Sequence, residues 1–323
     1  MKLGVSHQRP EQLTDSHLNY LKQMGVESLE VRILSPDSSF DTIMGIKDKV
    51  ENAGLHLHEI MLNDKYSAPE VCLGLEGRDE TIALIQRFIK DLGRAGIEHT
   101  TYAWHTGGAY ATGITQTRGC PTRLFELEAA LALPHAYDRE YSDEDMWQSY
   151  AYFIREVLPV AEDAGVKLQL HPNDPPVSHQ GVARIFSSTE AYRRAMDMAN
   201  HSPYSGILFC VGCWAEMFGA EGKGEDIVAA IREFGSQGHI HQVHFRNIDN
   251  AMPNFKETFP DEGYVDMPAI VRALAEVSFD SILVPDHVPK TADAEGNTNA
   301  GEAFIFGYIR GLIQSVQSVA KAA

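Results

Sequence analysis

Four residues of metal-ligating type stand at the ends of short apolar runs in the second half of the sequence. They are His171, Cys210, His244 and Asp286. Each run is typical of a buried β-strand. Two imidazoles, a thiolate and a carboxylate suit Mn²⁺, Fe²⁺, Co²⁺ or Zn²⁺, whereas Mg²⁺ and Ca²⁺ prefer oxygen ligands. If the four runs are neighbouring strands of one sheet, these side chains predict a shared divalent metal site.

Two candidate catalytic residues lie beside these ligands. Arg246 follows His244 by two residues, so a continuing strand places both on the same face. Its guanidinium suits a substrate carboxylate, although pairing with one of the chain's 45 acidic residues is the alternative. His287 directly follows Asp286 and is a candidate acid or base, provided that the strand has already turned at that point.

Three further side chains are candidates for substrate contacts. Asp174 lies in a loop that prolines stiffen, and Lys256 lies beside Glu257 in the loop after the seventh predicted strand. Trp104 ends the fourth predicted strand, where an aromatic ring can line a sugar-sized pocket. For the two loop residues the alternative is simple solvation, and for Trp104 it is ordinary core packing.

A repeated local pattern predicts the elements that position these residues. Four amphipathic stretches end at a glycine and lead directly into a short strand, which is typical of a helix with a left-handed C-terminal residue. The predicted helices cover residues 11–24, 40–53, 79–95 and 147–164. The strands after them cover residues 28–31, 56–60, 98–102 and 167–171. Further strands are predicted at residues 3–7, 206–210, 239–245 and 281–286.

Eight alternating strand–helix units predict an α/β fold, a (β/α)8 TIM barrel. A doubly wound sheet is the alternative, but no Gly-x-Gly-x-x-Gly follows the first strand. Residues 1–323 are predicted to form a single domain. Residues 107–145, rich in Gly, Thr, Pro and charge, are predicted to be an insertion after strand four that forms a lid. Active sites of such barrels lie at the C-terminal ends of the strands, where the four ligands would meet.

Composition restricts the partners. The chain has 27 basic and 45 acidic residues, a formal charge of −18, which disfavours nucleic acid and anionic membrane surfaces. It has neither an apolar run long enough to span a bilayer nor the apolar N-terminal stretch of a signal peptide. Four cysteines are too few for a disulfide framework. We therefore expect a cytoplasmic protein with a small-molecule partner, and the sequence leaves homo-oligomer formation open.

Five segments resemble, in order and spacing, signature segments of the mannonate dehydratases, which are metal-dependent lyases of the xylose-isomerase-like TIM-barrel group. The segments are residues 171–176, 210–212, 244–246, 263–267 and 285–287. The resemblance covers the chain from about residue 157 onward. It implies that the residues at 171, 210, 244 and 286 bind a divalent ion, usually Mn²⁺. It also implies that His287 is catalytic and that Arg246 lies in the active site.

The chain departs from the family pattern at four places. Asn173 stands where the family has Asp, Lys256 stands where it has His, and residues 299–303 lack the family's tyrosine. The family's opening Arg-Trp-Tyr-Gly segment is also missing. The ligand set favours a sugar-acid dehydratase, a hydro-lyase that removes water from an aldonic acid to give a 2-keto-3-deoxy acid. The missing tyrosine favours the alternative, a metal-dependent isomerase or epimerase of a sugar or keto-sugar. A non-catalytic metal- or sugar-binding barrel is a third hypothesis.

Overall fold

The computed structural model describes residues 1–219, 223–289, 291 and 299–322, and its central element is a closed parallel barrel. The barrel strands are β1 (Lys2–Gln8), β2 (Ser28–Ile33), β3 (His56–Leu62), β4 (His99–Ala103), β7 (Lys167–His171), β8 (Ser205–Cys210), β9 (Ile240–Phe245) and β12 (Ile282–Pro285). The remaining strands are β5 (Gly113–Thr117), β6 (Cys120–Glu126), β10 (Asn247–Ile248) and β11 (Asn254–Thr258). The barrel closes where β1 pairs with β12 and with β2. The predicted TIM-barrel fold is confirmed.

Helices surround the barrel, and the longer ones bury one face each. They are α1 (Asp15–Gln23), α2 (Phe40–Asn52), α3 (Pro69–Cys72), α4 (Arg78–Ala95), α5 (Leu127–Leu131), α6 (Asp143–Ala164), α7 (Thr189–Met198), α8 (Val211–Glu216), α9 (Ile227–Ser236), α10 (Met267–Glu276) and α11 (Asn299–Ala322). Gly96 and Gly165 end α4 and α6 in the left-handed conformation, as the sequence pattern predicts. Within the described residues, we find no helix with the length and apolar character needed to cross a bilayer.

Local capping explains where two helices differ from the sequence prediction. The first helix was expected from residue 11, but α1 begins at Asp15 because Pro10–Gln12 forms a short 3-10 turn and Thr14 caps the helix. Helix α6 begins four residues before the predicted start at residue 147. There Ser142 and Asp145 exchange hydrogen bonds between side chain and backbone, which satisfies two amides of the first turn.

The segment of residues 107–145 contains a β-hairpin that pairs with a loop on the far side of the barrel mouth. Strands β5 and β6 are joined by Arg118 and Gly119, both at positive φ, as a two-residue hairpin turn requires. Strand β6 then pairs antiparallel with β11, which lies in the connection after β9. This four-stranded sheet therefore brings the connections after β4 and β9 together at the C-terminal rim.

The opposite, N-terminal end of the barrel holds a cluster of buried histidines. His58, His99 and His241 line a cavity of about 370 Å³, and the rings of His58 and His99 stack with centroids 4.2 Å apart. Burial is the main cause that lowers the pKa of all three, and it lowers the pKa of His241 to about 3. The folded protein thus keeps these imidazoles neutral at pH 7.

These neutral histidines predict a loss of stability in mild acid. An unfolded histidine takes up a proton near pH 6.5, whereas His241 in the folded protein has a pKa of about 3. The contribution of His241 to the free energy of unfolding is therefore fully present above about pH 6.5 and declines as the pH falls. At pH 5 the loss from His241 alone should be about 2 kcal/mol. Urea unfolding at pH 7 and pH 5 should therefore show a smaller pH effect for His241→Gln than for the parent protein. His201→Gln, which alters a more exposed histidine, should leave the pH effect unchanged, and an unchanged effect for His241→Gln would contradict the prediction.

Candidate metal centre

Four side chains from four consecutive barrel strands converge at the C-terminal rim. His171 ends β7, Cys210 ends β8, His244 lies near the end of β9 and Asp286 follows β12. Each offers one ligand atom, these atoms all lie within 4.8 Å of one another, and all four residues are buried. The structure thus brings together the residues that the sequence analysis grouped, in a group that could hold a metal ion.

Unpartnered polar atoms in this cluster fit a cation. Both ring nitrogens of His244 and both carboxylate oxygens of Asp286 lack a hydrogen-bond partner within the described part of the chain. Buried polar atoms without partners are costly, and a bound cation would remove that cost. The Nδ1 atom of His171 lies 2.7 Å from the carbonyl oxygen of Pro172 and can donate to it. That bond leaves its Nε2 free to bind a metal, an arrangement typical of metal-ligating histidines.

Cys210 is held in an environment that favours the thiolate. Its Sγ atom lies 3.3 Å from Nε of Arg246. Burial alone would raise the pKa of Cys210, but a hydrogen bond from Cys213 and the charge of Arg246 lower it well below the usual thiol value. Gly212 allows this contact, because a Cβ atom there would lie 2.6 Å from Cγ of Arg246. Since the thiolate is the form that binds metals, Cys210 is suited to be a ligand.

Arg246 is fully engaged by protein groups. Its Nη1 atom lies 2.7 Å from Glu216 and 3.3 Å from Glu257, and its Nη2 atom lies 2.8 Å from Asp174. The residue is only 1% exposed. This corrects the expectation that its guanidinium holds a substrate carboxylate, since the protein's own carboxylates already take those donors. Arg246 instead binds these carboxylates and contacts Cys210.

Asp174 has a similar structural role. Its two oxygens accept from Arg123 at 2.7 Å and from Arg246 at 2.8 Å, and it is buried. The expected substrate contact is therefore corrected to an ion pair with two arginines. Asp174, Cys213 and Glu216 form a second group of closely spaced ligand-type atoms, but the two guanidinium groups already neutralise it.

His287 faces this cluster because the chain turns directly after β12. Its φ of +46° is in the left-handed region, so the strand alternation that would point it away from the site has already ended. Its Nδ1 atom lies 2.6 Å from Glu257, and its Nε2 atom lies 3.6 Å from Asp286. Burial favours the neutral ring, but these two carboxylates outweigh it and raise the pKa of His287 above the usual value. The strand has therefore already turned at His287, which is the condition for its side chain to act as an acid or base at this site.

Two expected substrate contacts, Trp104 and Lys256, lie elsewhere. Trp104 is 1% exposed and packs against Tyr150 and Phe153, with ring centroids 5.4 Å away in both cases. Lys256 donates to the carbonyl oxygen of Gln116 in the hairpin. Strand alternation in β11 points Glu257, not Lys256, toward Arg246. Both expectations are corrected: Trp104 belongs to the core, and the side chain of Lys256 forms a hydrogen bond with the backbone of the hairpin.

Asn173, which departs from the family pattern, ties two loops together. Its side-chain amide donates to the carbonyl oxygen of Trp104 at 2.9 Å, and its oxygen accepts from the backbone N–H of Phe186 at 2.7 Å. An ionised aspartate could accept one of these bonds but could not donate the other. The amide therefore fits this fully buried position better than a carboxylate.

Several residues near the site were not found from the sequence. Arg123 and Tyr110 come from the insertion, and no local motif marks either of them. Glu30, at 0% exposure on β2, places a carboxylate oxygen 3.9 Å from His244. His7, near the end of β1, lies 3.7 Å from Asp286, and the rule that active-site residues follow strand ends could have found it.

A cavity opens beside the cluster. Its volume is about 270 Å³, and its lining includes Ser6, His7, Asp286, His287 and Thr291. The carboxylate of Asp286 and the imidazole of His287 thus border a space close in size to that of small-molecule sites. The arrangement can hold a cation, bind a small polar molecule beside it and transfer protons through His287.

Comparison with known proteins identifies the relatives of the chain. The family model described as D-mannonate dehydratase (UxuA) matches residues 13–119 and 120–323. The mannonate dehydratase of Oceanobacillus iheyensis is 30% identical over 315 residues, covering 86% of this chain and 86% of the relative. Mannonate dehydratase 2 of Halalkalibacterium halodurans is 28% identical, covering 86% of this chain and 88% of the relative.

Solved structures match the fold. The mannonate dehydratase from Streptococcus suis serotype 2 superposes with a TM-score of 0.86 at 24% identity, covering 99% of this chain and 96% of that one. The 3-keto-D-glucoside 4-epimerase from E. coli superposes with a TM-score of 0.65 at 15% identity, covering 94% and 98%. At these identities the two structures show a shared barrel, and the kinship of the chain rests on the sequence matches.

Proposed function

The chain belongs to the D-mannonate dehydratase family, and we propose that it is a metal-dependent hydro-lyase that removes water from an aldonic acid to give a 2-keto-3-deoxy acid. The observation that carries the proposal is the buried group of four ligand atoms beside a histidine and an open cavity. Each part has a use in dehydration: a cation, a proton acceptor and room for a polar substrate.

We propose that His171, Cys210, His244 and Asp286 hold the ion and that it is Mn²⁺. Their mixed nitrogen, sulfur and oxygen donors also suit Fe²⁺, Co²⁺ and Zn²⁺. When bound, the ion would supply positive charge that stabilises the negative charge developing as the α-proton leaves the sugar acid. Arg246 would keep Cys210 ionised, and His171 would be oriented by its bond to the carbonyl oxygen of Pro172.

His287 is the proposed base. Glu257 accepts from Nδ1 at 2.6 Å, which leaves Nε2 able to take a proton from the carbon next to the carboxylate. The cavity beside His287 would receive the sugar acid. Glu257 would also stabilise the imidazolium that forms, because its carboxylate is buried against the ring.

The surroundings of the site fit the same proposal. We propose that residues 1–323 form one domain and that the hairpin of residues 107–145 covers the mouth of the barrel, since it pairs with β11 at that end. None of the four cysteines forms a disulfide bond, which suits a reducing cytoplasm. The proposed partner is a small sugar acid.

A metal-dependence assay tests the proposal. The protein is loaded with Mn²⁺ and incubated with a panel of aldonic acids, and 2-keto-3-deoxy acid is measured. We expect product from at least one acid, loss of activity after chelation, and recovery when Mn²⁺ is returned. Failure of the whole panel would overturn the proposal. Deuterium uptake from solvent into a keto-sugar, without loss of water, would assign the site to an epimerase instead.

A further inference from the structure

Tyr110 from the insertion reaches the ring of His287. Its hydroxyl oxygen lies 2.7 Å from each ring nitrogen, and the two rings meet edge to face with centroids 5.4 Å apart. The tyrosine is 44% exposed, in contrast to the fully enclosed Arg246. A phenol at this position can exchange a proton with the imidazole and still meet a molecule in the barrel mouth.

The hairpin holds the phenol ring in place. The guanidinium carbon of Arg123 lies 3.9 Å from the centroid of the Tyr110 ring, and Arg123 also donates to the carbonyl oxygen of Tyr110 at 3.3 Å. The residue before it is fixed from the other side. The backbone N–H of Ala109 donates to Gln180 at 2.6 Å, and its carbonyl oxygen lies 2.9 Å from Nε2 of His179. Tyr110 is thus positioned by contacts on both sides of the chain.

The hydrogen bond from His287 to Glu257 determines which ring nitrogen can accept a proton from Tyr110. Glu257 lies 2.6 Å from Nδ1, so that nitrogen donates its proton to the carboxylate. The phenol oxygen lies 2.7 Å from both ring nitrogens, and in the tautomer that results only Nε2 carries a lone pair that can accept its proton. Glu257, His287 and Tyr110 therefore form a continuous chain of hydrogen bonds that ends at the barrel mouth.

We propose that Tyr110 is a second catalytic residue, the acid that protonates the departing hydroxyl group. This inference rests on the proposed dehydratase function, which requires an acid as well as a base. His287 takes the proton from C2 of the sugar acid, and the electron pair of that bond is first delocalised into the neighbouring carboxylate. The pair then forms the C2–C3 double bond as the C3–O bond breaks. The departing oxygen takes the phenolic proton of Tyr110 and leaves as water.

The two groups then return to their starting states. The proton on His287 passes to the phenolate oxygen of Tyr110 across the 2.7 Å contact, so neither residue carries a net change. The enol that remains becomes the 2-keto-3-deoxy acid when its hydroxyl proton is lost to solvent and C3 gains a proton. The net reaction is the loss of one water.

Tyr110→Phe tests the assignment, with Tyr137→Phe as the matched control. Tyr137 lies in the same insertion and bonds to Thr106 at 3.0 Å instead of His287. We expect Tyr110→Phe to lower kcat about 10²–10⁴-fold, the usual contribution of a general acid. Its KM, metal content and Tm should remain close to those of the control, which should keep the parent kcat.

Solvent exchange separates the two proton transfers. In deuterated water, Tyr110→Phe should still introduce deuterium at C2 of recovered substrate, because His287 remains able to remove that proton. His287→Asn should abolish the exchange. A parent-like kcat for Tyr110→Phe would overturn the assignment, and so would lost metal or a lower Tm than the control. Absence of product from the parent protein would instead overturn the dehydratase function, and this inference with it.

Discussion

His244→Ala is expected to remove the bound metal and to lower kcat/KM for dehydration at least about 10³-fold. His244 contributes one of the four closely spaced ligand atoms, and neither of its ring nitrogens has another hydrogen-bond partner in the described residues. Charge stabilisation by a metal is worth several kcal/mol, and about 4 kcal/mol corresponds to a 10³-fold change in rate. Metal content by atomic emission and kcat/KM with the active aldonic acid are the two measurements.

His201→Ala is the control for this prediction. His201 is a more exposed histidine that pairs with Asp197 on the surface. This variant should retain both the metal and the activity. If His244→Ala keeps a full equivalent of metal with parent-like affinity, His244 is not a ligand and the proposed site is wrong.

Arg246→Met is expected to lower the free energy of unfolding by about 3–5 kcal/mol. The guanidinium lies between Asp174, Glu216 and Glu257, and all three carboxylates are buried. Removing it leaves negative charges close together in a region from which water is excluded, and this costs more than the lost attraction. Urea unfolding of the metal-free protein measures the effect without a contribution from metal binding.

Arg193→Met is the matched control. Arg193 makes two contacts with Glu233, at 2.6 and 2.7 Å, but its side chain is 47% exposed. Water screens such a pair, so its loss should cost no more than about 1 kcal/mol. If both variants lose the same free energy of unfolding, burial does not make the ion pairs of Arg246 more stabilising than an exposed pair.

The fold could be predicted because its signals are local. A glycine that ends a helix and a strand that follows it lie within a few residues of each other, as at Gly165 and β7. The β6–β11 pairing could not be predicted in this way. It joins Phe125 to Phe255 across the barrel mouth, and nothing in either segment alone specifies the other.

The candidate site could be predicted only in part, for a related reason. The parallel order of the barrel strands is enough to place the ligands at one rim. The groups that a side chain at this rim contacts come from distant segments of the chain. The spacing of His244 and Arg246 predicts a shared face, but it does not reveal that Asp174 and Glu216 already fill the donors of Arg246. Lys256 and Glu257 are neighbours in sequence, and only the pairing of β11 decides which one faces inward.

The insertion of residues 107–145 cannot be replaced freely by another segment. Arg123 on β6 lies 2.7 Å from Asp174, 3.0 Å from Glu216 and 3.1 Å from Glu257, all of which belong to the barrel's own connections. A shortened hairpin, or one grafted from another protein, would leave those acids without half of their neutralising charge. Redesign of the hairpin should therefore preserve a guanidinium at position 123 while the residues around it are varied.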